Sequence, residues 1–285
     1  MTKNTADTPA AIEADFTLPA NDGYTLAATL YEAEPASHRV VVINSATAVP
    51  RQFYTTFARY LVREGFSVVT YDYRGIGGSR PKKMRGFSAR IRDWALEDMT
   101  GVLNWVRANK NPEKLHLIGH SFGGQTAGLL EKADDIDSML TLSSQSGYWR
   151  LQGGEQKFTV LIHTWFTMPL ITSLLGYIPF GGQQLPGKVA REWAGWCRNR
   201  LYLLGDKTLP LERFKAFTAP VLAYSIDDDK WGTARSVDAM MGAYPNMKRR
   251  HIAAADQGLK SLGHFGFFRR NAEPFWADVS AWLKG

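Results

Sequence analysis

The chain has 285 residues, 45% of them apolar, and carries a net charge of +7, enough length to bury one large core or a core with an insertion. Its single cysteine, Cys197, excludes an internal disulfide and fits a reducing compartment. The basic clusters Lys82-Lys83-Met84-Arg85, Arg249-Arg250 and Arg269-Arg270 are too short to make a nucleic-acid-binding stripe, so they read as solvated faces and no nucleic-acid partner is expected.

Residues 1–13 read as a loose tail. Met1 to Ala11 lacks the basic and apolar regions of a secretory signal, which with the lone thiol points to the cytoplasm. Phe16 to Leu18 and Leu26 to Tyr31 flank Asn21-Asp22-Gly23 and predict a hairpin. Arg39 to Ile43 is a short buried strand, followed by a loop over Asn44 to Pro50. Phe53, Phe57, Tyr60 and Leu61 recur at helical spacing within Gln52 to Glu64, and Gly65 stops that helix. Phe66 to Tyr71 is the next strand and runs into the loop Asp72 to Ser79, where Asp72 and Arg74 read as braces. Ala95, Met99, Val102, Leu103 and Val106 define a helix over Asp93 to Asn109.

Leu115 to Ile118 is a strand that ends in Gly119-His120-Ser121-Phe122-Gly123 and passes into a small-residue helical segment, Gln125 to Leu130. Gly-x-Ser-x-Gly in that setting is a nucleophile elbow, a turn so tight that Ser121 sits in a strained conformation with its hydroxyl lifted clear of the sheet. The backbone N–H of Phe122 then faces whatever the serine attacks. Ile136 to Leu142, Pro220 to Tyr224 and Arg249 to Ala253 are further strands, and Pro274 to Leu283 is a closing helix. Apolar strands alternating with amphipathic helices predict an α/β fold, a mostly parallel central sheet with helices on both faces. Reactive groups in such sheets gather at the carboxyl ends of the strands.

A serine hydroxyl needs a base that titrates near neutrality, most often histidine. Of six histidines, His116 and His251 lie in strands, His38 near the N-terminus and His163 in a region without α/β rhythm. His120 adjoins the serine but points away from it at an elbow. His264 alone lies in a small-residue loop, Ser261 to Gly266, before the last helix, and is the expected general base.

With its elbow, its Asp72-Tyr73-Arg74-Gly75 loop and its Gly263-His264-Phe265 tail, the chain resembles the α/β-hydrolase superfamily, near the serine aminopeptidase and monoacylglycerol lipase-like group. The resemblance implies a triad in the order serine, acid, histidine. The family pattern Gly-x-x-Asp sets Asp229 of Asp227-Asp228-Asp229 against the acid; Ile226 stands where the glycine belongs, so Asp228 stays open as the alternative. The second oxyanion donor comes from the loop after Arg39 to Ile43, where Asn44-Ser45-Ala46 replaces His-Gly-x; Ala46 is favoured, with Thr47 next. No cofactor or metal is implied. Serine at the elbow argues against dehalogenase and epoxide hydrolase chemistry, whose relatives use aspartate there.

Residues 14–146 and 210–285 then form the core, and 147–209 an inserted helical lid. No charged residue falls between Phe158 and Gly187. Pro169, Gly176, Pro179 and Gly181-Gly182 interrupt that stretch below the ~20 residues a membrane span needs. Two short lid helices are expected, one with Phe158, Leu161, Ile162 and Trp165, the other with Leu170, Ile171, Leu174 and Leu175, lining a pocket for an acyl chain. Peripheral membrane contact through the lid is compatible with this. The lid has three acidic residues, Glu155, Glu192 and Asp206, against seven basic ones, which favours ester or thioester over N-terminal peptide cleavage. The expectation is a serine hydrolase of a small hydrophobic acyl substrate. An aminopeptidase-like amide hydrolase, an acyltransferase and a non-catalytic ligand-binding homologue are the alternatives.

Overall fold

The computed structural model describes residues 12–285. An N-terminal hairpin pairs β1 (Ile12–Pro19) with β2 (Thr25–Glu32), so Ile12 and Glu13 belong to a strand and not to a tail; the rest of the expected tail lies outside the described residues. The sheet continues with β3 (Arg39–Asn44), β4 (Ser67–Tyr71), β5 (Lys114–His120) and β6 (Ser138–Leu142). The insertion supplies a separate hairpin of β7 (Tyr177–Phe180) and β8 (Gln183–Pro186), and the sheet ends with β9 (Val221–Ile226) and β10 (Met247–Ile252). The strand order is β1-β2-β4-β3-β5-β6-β9-β10. Within this eight-stranded sheet the pairings β1–β2 and β2–β4 are antiparallel, and β3, β4, β5, β6, β9 and β10 run parallel.

Burial on both faces explains the unbroken apolar strands. Val40, Val42, Leu115, Leu117 and Met139 point into one core, against Val102, Leu103 and Val106 of a helix over 91–110. Their neighbours Val41, Ile43, Ile118, Leu140 and Leu142 enter the opposite core, against Phe57 and Leu61 of the helix Thr55–Arg63 and Phe275, Trp276 and Val279 of the C-terminal helix Glu273–Lys284. Alternate side chains thus feed two layers, which requires covering helices on both sides. The loop after β4 is braced as its charges require. Asp72 accepts from the amide and guanidinium of Arg51 (2.7 and 2.6 Å) and the amide of Gly78 (2.8 Å), while Arg74 pairs with Asp98 at 2.6 Å and Asp22 at 2.7 Å.

The insertion departs from two short helices. Gln156–Leu175 is one continuous 20-residue helix, long and apolar enough to cross a membrane. Pro169 does not break it, because a wide turn over His163–Thr167 precedes the proline and absorbs its missing amide. Gly176, at φ +81°, ends it. Gly181 and Gly182, at φ +56° and +77°, make the two-residue turn between β7 and β8, so the glycine pair is a hairpin signal and not an interruption. A further helix, Gly187–Arg198, carries Trp193 and Trp196 back to the core.

Candidate active site

Ser121 follows β5 directly and has φ +50° and ψ −114°, a conformation few non-glycine residues adopt. Close packing enforces it. A Cβ on Gly123 would stand 2.1 Å from the carbonyl oxygen of Asn44, and one on Gly119 would stand 2.4 Å from the backbone of Gly124. The helix beyond is shorter than the composition suggests: Phe122–Gln125, then a tight turn over Ala127–Leu129 where Gly128 packs on the ring of Phe214. Gly123→Ala is expected to destabilise the fold by about 3 kcal/mol or more in urea unfolding, since the clash is with backbone. Gly195→Ala, facing open space within a helix, should instead stabilise by about 0.5–1 kcal/mol.

The structure brings His264 and Asp229 together. His264 Nδ1 donates to Asp229 Oδ2 at 2.7 Å, which leaves Nε2 free to accept a proton. Asp229 Oδ1 accepts from the amides of Trp231 (2.9 Å) and Gly232 (2.8 Å). Burial alone would push this carboxyl up, but the hydrogen bond to His264, its charge and the Gly232 amide outweigh that and hold it at about 2. Among the described residues Asp228 makes no hydrogen bond to His264. Its two oxygens accept from the amides of Leu262 (3.0 Å) and Gly263 (2.7 Å), so it ties down the loop that presents the imidazole.

Among the described residues Ser121 Oγ makes no hydrogen bond to His264. It donates to Gln145 Oε1 at 3.3 Å, in the loop after β6. Catalytic hydrogen bonds of this kind often tighten only around substrate. Gln145 was not foreseen; its position at the carboxyl end of a parallel strand was the available signal.

The candidate oxyanion donors divide. The amide of Ala46 is committed to Tyr54 Oη at 2.9 Å and so is not available to an oxyanion, which corrects the sequence expectation. The amides of Thr47 and Phe122 make no hydrogen bond among the described residues, and Thr47 lines the cleft at Ser121. Tyr54 in turn bonds to His120 Nδ1 at 2.8 Å, and His120 Nε2 donates to the carbonyl oxygen of His264 at 2.8 Å. Because a carbonyl only accepts, His120 carries its proton on Nε2, and its Nδ1 accepts a hydrogen bond from the Tyr54 hydroxyl. His120 therefore points away from the serine and links the loop of Ala46 to the loop of His264.

Burial pushes His120 down to about 3 and His116 to about 4. Both are neutral in the folded protein at pH values where the unfolded chain is already protonated. Stability is therefore full above the ordinary histidine value of about 6.5 and falls as pH drops toward 4, by about 1.4 kcal/mol per group for each tenfold rise in proton concentration. Thermal melts should be level from pH 7 to 8 and decline below about pH 6.5. A melting temperature unchanged down to pH 4 would contradict this.

A narrow cleft of about 20 Å³, water-sized, opens at Ser121 between Thr47, Gln125, Gln145, Gln152, Tyr202 and Trp231. Cys197 also lines it, but burial pushes its thiol far up. An apolar cavity of about 240 Å³ lies beside it along the helix Gln156–Leu175, walled by Met168, Ile171, Ile178 and Phe180; Val160, Trp193 and Trp231 border both. Among the described residues no group of three His, Cys, Asp or Glu side chains is placed to hold a metal ion.

A family model described as the alpha/beta hydrolase fold matches residues 38–161. The chain is similar in structure to an esterase from Pyrococcus furiosus (15% identity, 96% of this chain and 90% of that one, TM-score 0.63). It is also similar to Est1E from Butyrivibrio proteoclasticus, solved with ferulic acid bound (17%, 94% and 97%, 0.62), and to the esterase EaEST from Exiguobacterium antarcticum (14%, 95% and 100%, 0.64). At such identities the likeness is one of fold. No curated protein matches the chain by sequence.

Proposed function

We propose that the chain, whose residues 38–161 match a model of the alpha/beta hydrolase fold, is a serine esterase acting on a hydrophobic carboxylic ester or thioester. Ser121 Oγ attacks the carbonyl carbon while His264 Nε2 takes its proton, and Asp229 holds the ring in the required tautomer. The amides of Phe122 and Thr47 face the oxyanion. His264 then protonates the leaving oxygen or sulfur, and water, deprotonated by the same nitrogen, frees the acid from the acyl-enzyme.

The observation that carries this reading is the 2.7 Å contact of His264 with a buried, ionised Asp229, at the same sheet edge as a strained serine. The cavities support the substrate class. Val160, Trp193 and Trp231 border both the serine cleft and the apolar cavity, so an acyl group in the latter directs its carbonyl to Ser121. No carboxylate lines either cavity to hold a free α-amino group, which favours esters over N-terminal peptide bonds.

A fluorophosphonate probe should label Ser121 and no other residue by peptide mass spectrometry. p-Nitrophenyl esters of graded chain length should be cleaved with a preference for chains longer than acetyl, and aminoacyl-naphthylamides poorly or not at all. Labelling at another serine, or faster cleavage of the naphthylamides, would overturn the proposal.

A further inference from the structure

The lid helix Gln156–Leu175 is packed with its more apolar face outward. Val160, Thr164, Met168 and Thr172, four apart, are buried at 1–4% exposure, and two of them are threonines. Phe158, Ile162, Phe166, Leu170 and Leu174 have the same spacing on the opposite side and are 53–69% exposed. A helix serving only as a roof would turn that second stripe toward the cavity, so water is not the solvent this face is built for.

Charge identifies what covers it. From Gln156 to Arg191 there is no acidic residue. Lys157 Nζ lies 5.0 Å over the ring of Phe158, and the Arg198 guanidinium lies 5.0 Å over the ring of Trp165, which is itself 53% exposed. Arg191 bonds to the hydroxyls of Thr172 and Ser173 at 2.7 and 2.8 Å. Among the described residues none of these three cations pairs with a carboxylate. An apolar stripe with an indole and unneutralised cations along it is the pattern of a helix lying in the plane of a membrane interface. A second copy of the chain would bring the same cations against one another, which disfavours self-association.

We propose that this face docks on an anionic lipid bilayer, the helix lying parallel to the surface with its exposed stripe among the acyl chains and Lys157, Arg191 and Arg198 among the headgroups. The assignment does not depend on the ester chemistry, and its test reads binding, not turnover. The full-length protein is floated with vesicles of phosphatidylcholine alone or of equimolar phosphatidylcholine and phosphatidylglycerol, with Trp emission recorded in parallel. Binding to the anionic vesicles should be about tenfold tighter, weaken with added salt and shift the emission to the blue. Phe166→Glu/Leu170→Glu should lose binding about tenfold or more with circular dichroism unchanged, and Lys157→Glu should reduce only the anionic preference. Absence of binding to both vesicles, or equal binding to both, would overturn the proposal. So would a concentration-dependent dimer, seen by ultracentrifugation, that the double variant dissolves without any vesicle binding.

Discussion

Ser121→Ala is expected to lower kcat for ester hydrolysis by on the order of a million-fold, because it removes the proposed nucleophile and leaves His264 nothing to deprotonate. The variant should bind product acids as before, since the apolar cavity of Met168, Ile171 and Phe180 is untouched. Ser121→Gly separates chemistry from strain. At φ +50° and ψ −114° a side chain carries a conformational cost that glycine does not, against which glycine adds unfolded-state entropy. The net expectation is a stability gain of about 1 kcal/mol, read from urea midpoints, with activity as low as in the alanine variant. A glycine variant no more stable than wild type would mean that packing around Gly119 and Gly123 alone sets the turn. Residual hydrolysis within a hundredfold of wild type in the alanine variant would remove Ser121 from the mechanism.

The parts of this architecture legible in the sequence are those fixed by local chemistry. Val40 to Ile43, Leu115 to Ile118 and Ile136 to Leu142 read as buried strands because both faces are covered, and the elbow glycines read as contacts because only hydrogen fits against Asn44 and Gly124. What escaped was set by distance in the chain. Nothing near Ala46 says that its amide will be taken by Tyr54, eight residues on, or that Tyr54 will meet His120. Gln145 is one polar residue among several in Ser143 to Ser146 until β6 is laid beside β5. The helix Gln156–Leu175 runs through Pro169, which is a reliable breaker only where the preceding turn is a regular α-helix; the wide turn at His163–Thr167 removes that condition.

Asp229→Asn is expected to lower kcat about ten-thousandfold with KM nearly unchanged, while Asp228→Asn lowers it about tenfold at most. The two carboxylates are adjacent in sequence and differ in what they hold. Asp229 fixes the proton of His264 on Nδ1, so that Nε2 is a base. An asparagine there can offer its NH₂ to the ring, which drives the proton to Nε2 and disables it. Asp228 receives two backbone amides, Leu262 and Gly263, one on each oxygen. Asparagine keeps one acceptor oxygen and loses the other, so the loop loosens by about 1 kcal/mol without changing the tautomer. The contacts of Asp229 also set its acid dependence. Asp229, held at about 2, stays ionised through the working range and contributes stability above its unfolded value of about 3.9, lost only as pH falls through about 2. Loss of wild-type activity between pH 7 and 5 would therefore not come from protonation of Asp229. Equal losses in the two variants would show that the position of the His264 loop, and not the tautomer of its ring, limits the reaction.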